Sequence, residues 1–269
     1  GDAFVLQTEF LMQILEGIHK YLPNIKHVTT YARADSIARK SVSELRELKT
    51  AGIEHLYCGM ETGSDLILRK INKGFDAATI IISGTKAKEA GMVLSEFTLF
   101  GIGGKELAEE NAVETAKVLN VIKPDFVRVH ATGIKLSSEM WNYVKNKELT
   151  LQSEEEIVSE QKIMLELLAD DMDCIYMNEH IVNLLLEVRG NIRTDKQNML
   201  ETINTYLQLP KQEQELFNLG RRLNIMFFLA DLNNRAKRKQ TEEGLRKIKT
   251  QNPDLDLAFV CNYVRQTQI

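Results

Sequence analysis

The stretch "LFGIGGKE", residues 99–106, concentrates glycines where a backbone could come close to a ligand, because glycine lacks a Cβ and tolerates positive φ. Spacing excludes two phosphate motifs. A P-loop needs four residues between its first glycine and the Gly-Lys pair, then Ser or Thr, whereas Lys105 is followed by Glu106. The dinucleotide pattern GxGxxG lacks its last glycine. Gly101, Ile102 and Gly103 are left either as a turn serving some other ligand or as a plain connection into the helix that Glu106 opens.

The other candidates are polar groups set among apolar runs. "MVLSEFTLF" carries Ser95, Glu96 and Thr98, and "FVRVHAT" carries Arg128 and His130. Arg128 and His130 share one strand face by alternation. They are substrate contacts if that face lines a barrel lumen and core groups if it does not, and Glu96 has the same ambiguity. Tyr31 and Arg33 close the run "HVTTYA" and fall on the rim where barrel enzymes keep their sites. "NEHIVN" gathers Asn178, His180 and Asn183, but one histidine does not make HExxH, so no metal site is expected. A polar network joining the barrel to a helical tail is the other reading of that cluster. Cys58, Cys174 and Cys261 form no CxxC pair and no disulfide pattern. The basic run "RAKRK" (235–239), with Arg221 and Arg222, reads as the solvated face of a helix, with an RNA contact as its alternative.

The elements that would position these groups repeat along the chain. "LKTAGIEHLYCGMETG" and "AKEAGMVLSEFTLFGIGG" each read as a helix end, an Ala-Gly stop, an apolar strand and a glycine turn. Gly52 and Gly91 sit where a helix C-terminus takes a left-handed residue. Ser41-x-x-Glu44 is a capping box and Asp76 caps the helix after it. Strands are predicted near 27, 55, 92, 126 and 174, separated by helix-period segments, which is the signature of βα units on a parallel sheet. Polar residues inside strands argue against an open sheet buried on both faces and for a barrel lumen. The predicted fold class is therefore α/β, a partial (β/α) barrel. From "HIVNLLLEV" onward the chain reads as helices without a strand, so the division is a barrel over 1–185 and a helical extension over 186–269.

Composition narrows the function. A net charge of −4 gives no overall attraction to nucleic acid or to an anionic membrane. No apolar run approaches the roughly 18–20 residues of a membrane span. Three unpaired cysteines suit a reducing cytoplasm. The chain opens on Gly1-Asp2-Ala3 with no preceding strand, which reads as a fragment of a longer protein.

In order, Gly1-Asp2-Ala3, "TYARADSI", "LYCGMETGSDLILRKINKG", "KAKEAGMVLSEFTLFGIGGKE", "KPDFVRVHATGI" and "MNEHIVNLLLEVRG" resemble a radical S-adenosylmethionine enzyme. The similarity is to an Fe–S oxidoreductase branch whose core is like that of oxygen-independent coproporphyrinogen oxidase and the Elongator catalytic subunit. "GMETGSDLILRKINKG" is its most specific piece, with "FGIGG" second.

The resemblance implies a TIM-like partial barrel, S-adenosylmethionine and a [4Fe–4S] cluster as cofactors, and a flavodoxin- or ferredoxin-type reductant as partner. Its substrate is a small molecule or RNA. The CxxxCxxC cluster motif of that family is absent from these residues, so the cluster and the activity are expected only in a longer chain, with the first βα unit and second strand upstream. Carried over residue by residue, Gly1, Asp2 and Ala3 match the turn receiving the methionyl amino group. Glu61 matches a ribose contact, and Lys73 a cation against the cofactor carboxylate, with Arg69 as competitor. Gly101, Ile102 and Gly103 match the adenine-side turn. Tyr31, Arg33, Arg128, His130, Asn178 and His180 are left as substrate candidates. The rival readings are a metal-independent β/α-barrel lyase and a non-catalytic binding module.

Overall fold

In the computed structural model, which describes residues 1–251 and 256–268, six strands form one sheet in sequential order β1 to β6. They are β1 (Val28–Ala32), β2 (Ile53–Glu61), β3 (Val93–Phe100), β4 (Phe126–Ala131), β5 (Ile175–Met177) and β6 (Gly190–Asn191). The first five run parallel and β6 pairs antiparallel with β5. Each parallel pair is joined through helices: α2 (Ala34–Arg39) and α3 (Val42–Thr50), α4 (Asp65–Lys70) and α5 (Ala77–Glu89), α6 (Ala108–Ile122), then α7 (Glu139–Lys145) and α8 (Glu154–Leu167). Right-handed crossovers between neighbours in sequential order place successive helices on the same face. Accordingly α2 packs on α5, α5 on α6 and α6 on α8. This singly wound layering is that of a partial barrel, with β1 and β6 at its two ends.

Burial obeys the alternation. Leu56, Cys58 and Met60 of β2, Leu94 of β3 and Val127 and Val129 of β4 are buried beneath the helices. His55 and Tyr57, Ser95 and Phe97, and Arg128 and His130 turn to the concave face, where His55 meets Ser95 and Arg128 lies over Tyr57 and Phe97. The caps form as the sequence predicts. Ser41 and Glu44 close a capping box, Asp76 accepts from Thr79 N–H, and Gly52 and Gly91 have φ of 111° and 76°. α1 (Thr8–Tyr21) precedes the sheet and buries Leu11 and Leu15.

After β5 the structure departs from the helices expected from residue 180. Residues 180–189 form turns and lead into β6, because side chains rather than helical bonds satisfy their peptides. Asn178 donates to Leu185 O at 2.6 Å, and Arg221 donates to the carbonyls of Ile181, Asn183 and Leu184. The tail then comprises α9 (Ile192–Leu207), α10 (Lys211–Arg222), α11 (Arg235–Gln251) and α12 (Leu257–Arg265). Within this tail α10 ends at Arg222 and the chain turns at Asn224, which adopts φ 57°.

Arg221 and Arg222 are not on a solvated face. They are 0% and 2% exposed. Arg222 makes a two-pronged bond to Glu154 with both distances 2.8 Å, and Arg265 of α12 reaches the same carboxylate at 2.7 Å. A buried guanidinium persists only when paired, and this triad clamps α10 and α12 onto the start of α8. In "RAKRK" itself, Lys237 pairs with Asp231 and Arg238 with Glu213 and Glu242.

Candidate functional site

The C-terminal end of β2 carries a β-bulge between Gly59 and Glu61, and bulges re-aim the residue next to them. Glu61 takes φ 63°, a left-handed conformation costing a side-chain-bearing residue roughly 1 kcal/mol. Its carboxylate lies 2.7 Å from Lys73 Nζ, and the two side chains are 23% and 16% exposed. Gly59 makes room for this. A Cβ there would lie 2.6 Å from Glu61 Oε1 and 3.4 Å from Lys73 Nζ.

Lys73 stands in the turn that ends α4, between Asn72 (φ 52°) and Gly74 (φ 88°), with its N–H bonded to Leu68 O. Arg33 braces that turn. Its guanidinium donates to Lys73 O at 2.9 Å and to Asp35, and lies over the Phe75 ring. Gly1, Asp2 and Ala3 reach the same rim beside β1. The Asp2 carboxylate accepts from Arg33 N–H at 3.1 Å and from the Ser36 hydroxyl at 2.6 Å, so it serves as a cap for α2. Arg69, the competitor for Lys73, lines the outer side of the α4 turn with Asn72 and Gly74.

The glycine turn after β3 is closed in. Gly101 to Gly104 are all buried, and Ile102 is 6% exposed. Gly101 (φ 81°) and Gly104 (φ 66°) need left-handed backbone, and a Cβ on Gly103 would meet Ile67 and Leu107 at 2.9 Å. The glycines thus allow α4 and the segment around Leu149 to close over the turn. Its anchor is Glu160 of α8, which accepts from Gly101 N–H at 3.0 Å, from Gln152 at 2.8 Å and from Asn111. Burial pushes this carboxyl up to about 7 against those bonds. Sequence patterning offered no sign of Glu160, because a glutamate in "EEEIVSEQK" looks like one more helix-surface acid.

The concave face is aromatic and cationic. Tyr31 stacks within 5.4 Å of Tyr57 and 6.3 Å of Phe97, and His55 within 4.4 Å of Tyr57, measured between ring centroids. The Arg128 guanidinium lies 5.1 Å from the Tyr57 centroid, 5.9 Å from that of Phe97 and 5.8 Å from that of Phe126, within cation–π range. The His130 ring is 4.3 Å from that of His180. Burial, then His180 and Arg128, push His130 down to about 4, so it is neutral at pH 7.

Glu96 is not on this face. It registers with Cys58 under the helices, fully buried, and neither carboxyl oxygen has a hydrogen-bond partner. Burial pushes it up to about 8. Asn178 is spent on Leu185 O, and Asn183 bridges the backbone of β4 through Val129 O and Ala131 N–H. Of that cluster, His180 alone reaches the concave face.

The three cysteines lie apart, on β2, before β5 and on α12, and are buried. Among the described residues no group of three or more His, Cys, Asp or Glu could hold a metal ion. No helix among them is long and apolar enough to cross a membrane. A separate cavity of about 760 Å³ lies between α7, α10 and α12, and reaches Lys105 and Leu149 on the outer side of the glycine turn after β3.

No protein-family profile matches the chain. Over 167 residues it is 24% identical to the heme chaperone HemW of Bacillus subtilis (strain 168), covering 61% of this chain and 43% of that one. Among solved structures, the Elp3 of the archaeon Methanocaldococcus infernus aligns at 15% identity with a TM-score of 0.49, over 63% of this chain and 44% of its own. Methylornithine synthase (PylB) aligns at 16% identity and a TM-score of 0.40, over 60% and 44%. The chain thus spans less than half the length of each of these proteins. Over that span the chain is similar to the heme chaperone, and its motifs on β2 and β3 resemble those of the radical S-adenosylmethionine superfamily.

Proposed function

We propose that this chain is the S-adenosylmethionine-binding barrel of an Fe–S oxidoreductase that abstracts hydrogen from a substrate on the concave face. The observation that carries the reading is the Glu61–Lys73 pair, held at the strand rim by a bulge, a left-handed residue and a glycine that leaves space for it. The donor set fits the cofactor. A carboxylate accepts from two adjacent ribose hydroxyls, and an ammonium group with two donors beyond its bond to Glu61 can pair with a carboxylate. Bound beside a reduced cluster, S-adenosylmethionine supplies the hydrogen-abstracting chemistry. This chain's own residues bind it, orient it at the rim and shield it from water.

The residues do not fit the cluster. Ligation needs thiolates from several cysteines, and the three here are buried on separate elements. We place the CxxxCxxC loop, together with the first βα unit and second strand, in sequence outside these residues, and include a flavodoxin- or ferredoxin-type reductant and a cytoplasmic setting. The separation of the three thiols also favours a second reading, a binding module that keeps the cofactor-shaped rim without the chemistry.

Anaerobic reconstitution of the parent protein, with an assay for 5′-deoxyadenosine, separates the two. Product formation that depends on Lys73 supports the enzyme. Cofactor binding without product supports the module.

A further inference from the structure

Arg128 is the one residue of the concave face whose charge has no counter-ion among the described residues. Its Nε donates to Ser95 Oγ at a long 3.4 Å, and it takes part in no ion pair among the described residues. Other guanidinium groups nearby are occupied: Arg33 by Asp35 and Lys73 O, and Arg189 by Glu179. Arg128 is half-buried, lies against three rings, and opens into a concavity of about 240 Å³. That concavity is lined by Arg128, Val129, His130, Met177, Glu179 and His180, and the rings of Tyr57 and Phe97 adjoin it beside Arg128 and His130, with Tyr31 stacked beyond them. Glu179 stands at its edge, with its carboxylate 2.6 Å from Arg189 and so already neutralised.

Such an arrangement has a specific chemical complement. A guanidinium offers a planar fork of donors matched to an oxyanion. The surrounding ring faces favour a flat, unsaturated body, because aromatic rings stack in offset or edge-to-face pairs beyond the gain from burial alone. An unpaired cation half-removed from water is costly to keep unless something binds it.

We infer that the concave face is a binding site for a small, flat, unsaturated molecule bearing one oxyanion, held by the free donors of Arg128 and stacked against Tyr31, Tyr57 and Phe97. This deepens the proposed function by naming the substrate class of the same face. A single-stranded nucleic acid also stacks on aromatic rings, but it demands several cations along its backbone. This face has one, on a chain of net charge −4.

The probes are 2-naphthoate and 2-naphthyl phosphate, with 2-naphthalenemethanol as the neutral control, titrated into the chain and monitored by calorimetry and by the ring signals of His130 and His180. One or both anions should bind saturably at least tenfold more tightly than the alcohol, and the preferred anion identifies carboxylate or phosphate as the group recognised. Arg128→Gln should remove that advantage, and Tyr31→Ala, a substitution at an exposed ring that keeps the fold intact, should weaken all three probes severalfold. Equal binding of anions and alcohol, unchanged anion affinity in Arg128→Gln, or displacement of the naphthoate by a ten-nucleotide single-stranded RNA would overturn the inference. S-adenosylmethionine titrated in parallel keeps the two claims apart, because naphthoate binding without cofactor binding leaves the oxyanion site standing while the radical reading fails.

Discussion

Glu61 Oε1 and Lys73 Nζ lie 2.7 Å apart although they are 12 positions apart in sequence, and each sits next to or within a left-handed turn. The rim therefore presents an acid and a base as one unit. A ligand that engages Lys73 must share it with Glu61, which ties the affinity of either contact to the other.

Lys73→Ala and Glu61→Ala should each lower S-adenosylmethionine affinity about tenfold, the equivalent of about 1.4 kcal/mol. In a double-mutant cycle read by urea unfolding, the pair should couple by roughly 1 kcal/mol. Glu61→Gly separates binding from folding, because glycine relieves the left-handed strain. Its stability should match the wild type or exceed it while affinity falls about tenfold, as in Glu61→Ala.

Glu96 sets a pH dependence. Its folded value is near 8 against an ordinary 4.5. Between those values the folded chain holds a proton that the unfolded chain has released, so stability falls as pH rises through that window and levels off above it. Glu96→Gln cannot titrate and should flatten the slope between about pH 4.5 and 8, by a few kcal/mol in total. Thermal unfolding at several pH values measures it, and parallel slopes for the two proteins would contradict the assignment.

Removing the carboxylate of Glu154 leaves the buried guanidinium groups of Arg222 and Arg265 without their partner. Glu154→Ala should destabilise the chain by about 3–5 kcal/mol. Limited proteolysis should show α12 released first, since Arg265 is one of its few polar anchors, beside the bonds of Asn262 to Ile134.

Two glycines should respond in opposite directions. A Cβ at Gly63 would lie 2.2 Å from Glu114 O, a backbone atom that cannot swing away, so Gly63→Ala should cost at least about 3 kcal/mol. Gly17, within α1, has nothing within 4 Å of its Cβ position. Gly17→Ala should stabilise the chain by roughly 0.5–1 kcal/mol. Chemical denaturation of both variants provides the check.

The strands, caps and helix stops were legible because they are local. Ser41 caps Glu44, Asp76 caps Thr79, and the Ala-Gly stops recur with the βα period. The shared face of Arg128 and His130 came from alternation alone. The features that escaped depend on partners distant in sequence. Arg221 and Arg222 look like surface charge until Glu154, 68 positions before Arg222, is brought against α10. The turns at 180–189 replace a helix because Arg221 caps their carbonyls from a later element. Glu160 is a buried anchor only because Gly101 and Asn111 converge on it. The face of Glu96 was set by the register of β3 against β2, which its polar neighbours could not reveal.

Calorimetric titration of S-adenosylmethionine into the purified chain is the most direct measurement of the rim's role. Saturable one-to-one binding, weakened about tenfold by Lys73→Ala and left intact by a surface change such as Lys239→Ala, is the predicted result. A folded chain that shows no saturable binding, or equal affinity for wild type, Glu61→Ala and Lys73→Ala, would contradict it.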